Sequence, residues 1–371
     1  MGTRIRQSPY FEATQRQGCH SYTVYNHMYL PNYYDDLVKE YWKIVNEVAL
    51  WDVSVERIVE ITGLDAFRFT NLLTPRNLSK CKVGQCKYVV ITDGKGGIIN
   101  DPVLLRLEEN RLWLALADSD VLLWAKGLAV YADMRLDIRE ADVYPLQVQG
   151  PQSKGVVQNL FGEAVLRLAY YEFMEAEVNG IPVIVARTGW TGEVGYEIYL
   201  RDSRRGLELW EAVLVAGQPY NIAPTGPSDI RRIEAGILNY GADMTLENNP
   251  YEVGLDWMVD FQPEADFIGK EALKRIAAEG VKRKLVGVEI AGEPLGLSQY
   301  RWPVRSKGRL IGQVTSAVYS PRLEKNIGYA LVPIEYADLG TQLTVEPPTG
   351  EITATVVPRP FIDPKKEIPK A

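Results

Sequence analysis

The chain has 371 residues, 46% of them hydrophobic and 24% charged, with a formal net charge of −7 at pH 7. That length exceeds one ordinary core and predicts two or three domains, while the negative balance and the lack of a Lys/Arg run exclude a polyanionic partner such as nucleic acid. No charge-free apolar run of about 18 residues occurs, so no membrane span is expected.

In chain order, Leu37, Tyr41, Val45 and Val48 recur at helical spacing and predict an amphipathic helix over 35–50. Alternation through Val53, Val55, Val59 and Ile61 predicts one half-buried strand over 51–62, followed by a helix over 64–74 that Pro75 ends. Two apolar runs, 88–92 and 98–107, flank the turn residues Asp93-Gly94-Lys95-Gly96-Gly97 and predict a hairpin. A third strand over 111–117 leads to a helix reaching about residue 134, with Asp118 or Ser119 as its cap. Short strands are expected over 136–139 and 146–149, and Gly150-Pro151 opens a helix to Phe161. Asn179-Gly180 predicts a second hairpin within 176–185, followed by a strand over 195–200 and a helix over 204–217. Helices over 228–236 and 269–280 precede strand-like segments from Lys284 onward, which predict a C-terminal barrel or sandwich. The fold class is therefore α+β with mainly antiparallel sheets.

Two stretches concentrate candidate chemistry, KYVVITDGKGGIINDPV (87–103) and RTGWTGEVGYEIYL (187–200). Asp101 stands where the hairpin strands diverge, beside a proline that removes a ladder donor. It is either a turn cap or an acidic group at a sheet end, where pockets form. In the second stretch Gly189, Gly192 and Gly195 permit close backbone approach or positive φ, and Trp190 and Tyr196 offer flat faces. On a strand from Gly195, Glu197 and Tyr199 share one face, which is either solvated or able to hydrogen-bond a polar heterocycle. Gly94-Lys95-Gly96-Gly97 lacks the spacing of a phosphate-binding loop, and no G-x-S-x-G elbow exists. His20 and His27 are the only histidines, and Cys19, Cys81 and Cys86 form no ligand pattern and no closed set of bridges. Neither a metal site nor a disulfide framework is expected, and a reducing cytoplasm is the expected location. The N-terminal MGTRIRQSPYFEATQRQG has no apolar run after its arginines and does not read as a secretory signal.

An ordered series of blocks, WDVS (51–54), GQCKYVVITDGKGGIINDPV (84–103), VQGPQS (148–153), ARTGWTGEVGYEIY (186–199), RIEAGILNYGADM (232–244), ENNPYEVGL (247–255), FIGKEAL (267–273) and SPRLEKNIGYALV (320–332), resembles the glycine-cleavage T-protein family of tetrahydrofolate-dependent enzymes. The resemblance runs from about residue 20 to the end. It implies three domains around a central folate channel: a discontinuous core domain over 1–50 and 141–280, an α+β domain over 51–140 bearing the catalytic hairpin, and a barrel or sandwich over 281–371. It also implies tetrahydrofolate as methyl acceptor, with Asp101 as the catalytic aspartate. Tyr88, Trp190, Glu197 and Tyr199 would line the folate pocket, with Glu197 on the pterin ring. Arg232 and Arg359 answer the charge need of an anionic tail.

Within the family, TVYNHMYLP (23–31), WDVSVER, TPRNL, VGQC and LADSDVLLW (116–124) are most similar to the dimethylsulfoniopropionate demethylase branch. Aminomethyltransferases have a phenylalanine-rich FAGW-type segment where this chain has YNHM, an arginine at the position of Ser228, and a doubled aspartate where it has Asn100-Asp101. These departures argue against a lipoyl carrier protein as partner. The expected partner is a small-molecule methyl donor, a sulfonium such as dimethylsulfoniopropionate, with Tyr22, Tyr25 or Trp190 facing the cation. An ether donor would need help for its leaving phenolate, and His27 is the only histidine placed to give it. Demethylation of another amine or ether, aminomethyl transfer, and a homodimer stay open.

Overall fold

The computed structural model describes residues 5–262 and 266–371, so the first four residues of the N-terminal segment weighed above lie outside it. Two α/β layers pack sheet against sheet. The first sheet has six strands in the order Phe173–Val178, Ile181–Ala186, Gly195–Leu200, Tyr144–Gln149, Ala49–Asp52 and Ala223–Pro224, antiparallel except for the last pair. One face carries Leu50, Val148, Tyr196 and Ile198 and is covered by the helices Ser153–Phe161 and Gly206–Gly217. The other face presents Ile184, Ala186 and Tyr199 to Trp113, Leu105 and Ile58 of the second sheet.

That second sheet has five strands in the order Asp137–Glu140, Ile58–Thr62, Arg111–Ala115, Val103–Glu108 and Cys86–Tyr88, all antiparallel. Its outer face is closed by the helices Ala66–Leu73 and Val121–Ala129. The α+β class with antiparallel sheets is therefore observed. The predicted turn at Asn179-Gly180 has both residues at positive φ, 52° and 73°, as a tight two-residue hairpin requires. From Arg283 to Val357 six strands close into a barrel, the first of the two architectures expected there.

Two expectations need correction. The alternation over 51–62 is not one strand: Ala49–Asp52 belongs to the first sheet and Ile58–Thr62 to the second. Between them Asp52 Oδ1 accepts from the Ser54 backbone N–H at 3.1 Å and from its hydroxyl at 2.6 Å, turning the chain from one layer to the other. Residue 51 thus lies inside the strand Ala49–Asp52. The segment after Val357 leaves the barrel and docks on the helix Asp229–Glu234, where Phe361 and Ile362 donate backbone N–H bonds to Glu234 O at 3.0 and 2.9 Å. Finally, Asp118 and Ser119 do not cap the following helix; Asp118 accepts from the Asn26 N–H at 2.8 Å and the Ser119 hydroxyl donates to Ile99 O at 2.6 Å.

Candidate active site

A cavity of about 750 Å³ opens where the two sheets, the N-terminal hairpin and the barrel meet. Both expected stretches reach it. The hairpin of 87–103 is interrupted at Asp101-Pro102, with Ile91–Thr92 pairing Ile98–Asn100 on one side and Cys86–Tyr88 pairing Val103–Glu108 on the other. The break turns the Asp101 side chain out of both ladders and into the cavity. Tyr88 donates its hydroxyl to Asp101 Oδ2 at 2.8 Å, while Oδ1 is shielded from solvent and has no protein partner. Asn100 braces the loop, its amide donating to Ala117 O at 2.9 Å and Ser119 Oγ at 2.7 Å.

Loss of water around Asp101 pushes its carboxyl up to about 7; the Tyr88 bond pulls the other way and Asp243 adds a smaller upward push. Replacing Tyr88 by phenylalanine removes the donor that favours the carboxylate. The acid limb of the rate profile is then expected to move up by about one pH unit, checked by kcat against pH in both proteins; an unmoved limb would detach Asp101 from that limb.

Glu197 and Tyr199 do share a strand face, and both are buried. Glu197 Oε1 accepts from Gln147 Nε2 at 2.8 Å, and Oε2 accepts from Thr188 Oγ1 at 2.7 Å and from the Tyr199 hydroxyl at 2.5 Å. Burial raises its pKa, and the three donors offset part of that rise. Tyr199 does not line the cavity; it packs on Trp113 behind the carboxylate and holds it in place. The glycines serve the protein's own packing as much as a ligand. A Cβ at Gly189 or Gly195 would fall 2.2 or 2.3 Å from the buried Gln149 amide, and Gly192 has φ 68°.

The remaining candidates divide. Tyr25 and Trp190 line the cavity. Tyr22 does not: its ring packs on Phe11 at 4.9 Å and its hydroxyl meets Thr14 at 2.8 Å. His27 also lies elsewhere, at positive φ in the turn of the N-terminal hairpin, with Nε2 3.6 Å from Asp120. Arg232 is buried and already engaged, donating to Asp229 at 2.5 Å, Asp243 at 2.7 Å and Ser316 at 2.9 Å. Its guanidinium sits over Trp190, 5.4 Å from the ring centroid, so it positions that ring instead of reaching a ligand. Arg359 does line the cavity, together with Lys284 and Lys366.

Glu56 was missed by the sequence reading. It lies in the turn that carries the chain between the two sheets and faces the cavity near Asp101 and Glu197. Its place in an alternating run made it look like an outward-facing residue. Gln147 was missed as well, because a glutamine inside a strand carries no signal until its partners are known.

A family model described as the GCVT N-terminal domain matches residues 10–263, and one described as the glycine cleavage T-protein C-terminal barrel domain matches residues 283–363. The chain belongs to the glycine-cleavage T-protein family. Among curated relatives, the dimethylsulfoniopropionate demethylase DmdA of Ruegeria pomeroyi is 39% identical over 353 residues, 95% of this chain and 96% of that one. The aminomethyltransferase of Bacillus subtilis is 33% identical, covering 90% and 92%. The crystal structure of the glycine cleavage system aminomethyltransferase T from Bartonella henselae superposes with a TM-score of 0.86 over 97% of this chain and 98% of that one at 23% identity, a likeness of fold.

Enzymes of this T-protein family are methyl and aminomethyl transferases that use tetrahydrofolate. The residues present fit that group. Glu197 and the unpartnered Gln147 Oε1 offer acceptors for pterin N–H groups, Trp190 and Tyr88 offer ring faces, and Arg359, Lys284 and Lys366 offer positive charge for an anionic tail. Among the described residues no helix is long and apolar enough to cross a membrane.

Proposed function

We propose that the protein is a tetrahydrofolate-dependent demethylase of a cationic methyl donor, a sulfonium of the dimethylsulfoniopropionate type, giving methylmercaptopropionate as the thioether product. The observation that carries this reading is the cluster of carboxyls on the cavity's inner wall. Asp101, Glu56 and Glu197 face it together with the rings of Tyr25 and Trp190. Such a wall suits a positive centre that has no hydrogen to donate. Similarity at 39% to a dimethylsulfoniopropionate demethylase supports the same direction. Ser228, where aminomethyltransferases resembling this chain carry an arginine, serves as a helix cap, its hydroxyl accepting from the Arg231 N–H at 3.3 Å. A departing phenolate would find no acid at His27, which argues against an aryl ether donor.

Bound tetrahydrofolate supplies the amine nitrogen that accepts the methyl group. The sulfur keeps the electron pair of the broken S–C bond and leaves as a neutral thioether, so no residue has to protonate it. The Asp101 carboxyl takes the proton released at the acceptor nitrogen, a task suited to a group that titrates near neutral pH. Glu197, fixed by Gln147, Thr188 and Tyr199, orients the acceptor ring. Tyr88 holds Asp101 in register with both. A cytoplasmic location and independence from a lipoyl carrier belong to the same proposal. Purified protein given tetrahydrofolate and dimethylsulfoniopropionate should form 5-methyltetrahydrofolate and methylmercaptopropionate, read by product mass spectrometry. No product there, with turnover on glycine and a lipoyl carrier protein, would sink the proposal.

A further inference from the structure

The three cavity carboxylates are not equivalent. Asp101 is pinned by Tyr88, and Glu197 receives three donors. Glu56 has a single long hydrogen bond, from Gln147 Nε2 to its Oε1 at 3.4 Å, while the same amide makes the shorter bond to Glu197 at 2.8 Å. A carboxyl in a cavity wall with so little protein solvation is costly unless something else answers its charge. The groups facing it are the Asp101 and Glu197 carboxyls and the Tyr25 and Tyr199 hydroxyls, none of them cationic. Arg359, Lys284 and Lys366 line the same cavity, but none of them forms an ion pair with Glu56 among the described residues.

A donor with N–H groups would be recognised by well-aimed acceptors. A sulfonium or quaternary ammonium offers only diffuse positive charge on methyl groups, and needs negative charge beside flat rings. Glu56 has that character: an under-bonded carboxyl beside Tyr25, on the wall that also holds Trp190.

We propose that Glu56 is a specificity-determining residue that selects a positively charged methyl donor over neutral thioethers and ethers by setting its carboxylate against the onium charge. This rests on the demethylase reading above. In the free protein, burial and the neighbouring Glu197 and Asp101 hold the Glu56 carboxyl well above the usual carboxylate range, which favours its protonated form. An entering cation favours the carboxylate, and that proton passes to the buffer. Transfer of the methyl group leaves a neutral sulfide, the carboxyl takes a proton back, and the grip on the product is lost.

The test uses Glu56→Gln, of the same shape and uncharged, and Glu56→Asp, which keeps the charge, each titrated calorimetrically with dimethylsulfoniopropionate, with methylmercaptopropionate and with tetrahydrofolate. Glu56→Gln should lose about tenfold or more in sulfonium affinity, keep its sulfide and tetrahydrofolate affinities, and release less proton when titrated in buffers of different ionisation enthalpy. Glu56→Asp should recover part of the preference for sulfonium over sulfide. Equal weakening toward sulfonium and sulfide, or a loss confined to tetrahydrofolate, would overturn the assignment. A wild-type protein that demethylates the sulfonium, beside a glutamine variant that keeps the full preference, would remove Glu56 and leave the demethylase reading standing. A wild-type protein that neither binds nor demethylates the sulfonium removes both.

Discussion

Asp101→Asn is expected to lower kcat by about 10²- to 10⁴-fold while changing tetrahydrofolate affinity little. Asparagine keeps the shape of the side chain and can still accept the Tyr88 hydroxyl, but it cannot take up the proton released at the acceptor nitrogen. The same substitution should make the protein more stable at pH 8. In the unfolded chain an aspartyl ionises near pH 3.9, whereas in the fold Asp101 holds its proton to about 7. The favourable contribution of the protonated form is complete below the unfolded value and is lost as pH rises through the folded one. Above pH 7 the wild-type fold therefore carries an ionised group in a poorly hydrated place, and the variant does not. Steady-state kinetics, equilibrium binding and denaturant unfolding of the two proteins at pH 5 and pH 8 check all three statements. A variant with wild-type kcat would take Asp101 out of the chemistry.

The second large effect is expected at Glu197. Glu197→Ala removes the carboxylate that is proposed to orient the acceptor ring and leaves the donors of Gln147, Thr188 and Tyr199 without their shared partner. Tetrahydrofolate affinity should fall by about tenfold to a hundredfold, the scale of a hydrogen bond to a charged group. Part of that loss would come from rearrangement of the three donors, so Glu197→Gln is the informative companion. It keeps an acceptor oxygen and the packing but removes the charge. An affinity unchanged in both variants, measured by fluorescence titration, would contradict the pterin assignment.

Much of this architecture was legible before any coordinates. A proline and a pair of glycines mark where the hairpin opens at Asp101, and a two-residue period puts Glu197 and Tyr199 on one strand face, while the roles expected of both came from the family resemblance. Other placements depended on information that local sequence does not carry. Val53 and Val55 continue the alternation of Val59 and Ile61, yet the chain changes sheets between them, because Asp52 and Ser54 make a turn that the hydrophobic period does not register. Glu56 was lost for the same reason. Tyr22 and Tyr25 sit three residues apart on one short strand, Ser21–Tyr25, but only the second reaches the cavity. Arg232 looked like a free cation because the fold, not a local spacing rule, brings Asp243, eleven residues on, and the distant Ser316 onto its guanidinium.

The arrangement of charge around the cavity has a consequence for how ionic strength acts on the protein. Lys284 and Lys366 are exposed at the rim, whereas Glu197 and the free oxygen of Asp101 are sealed from water. Dissolved ions screen exposed charges over about 10 Å at 0.1 M, but they do not enter the inner wall. On the proposed reading, salt therefore separates the two ends of the site, loosening the grip on an anionic tail while leaving the surroundings of the methyl-bearing centre nearly as they are in dilute buffer.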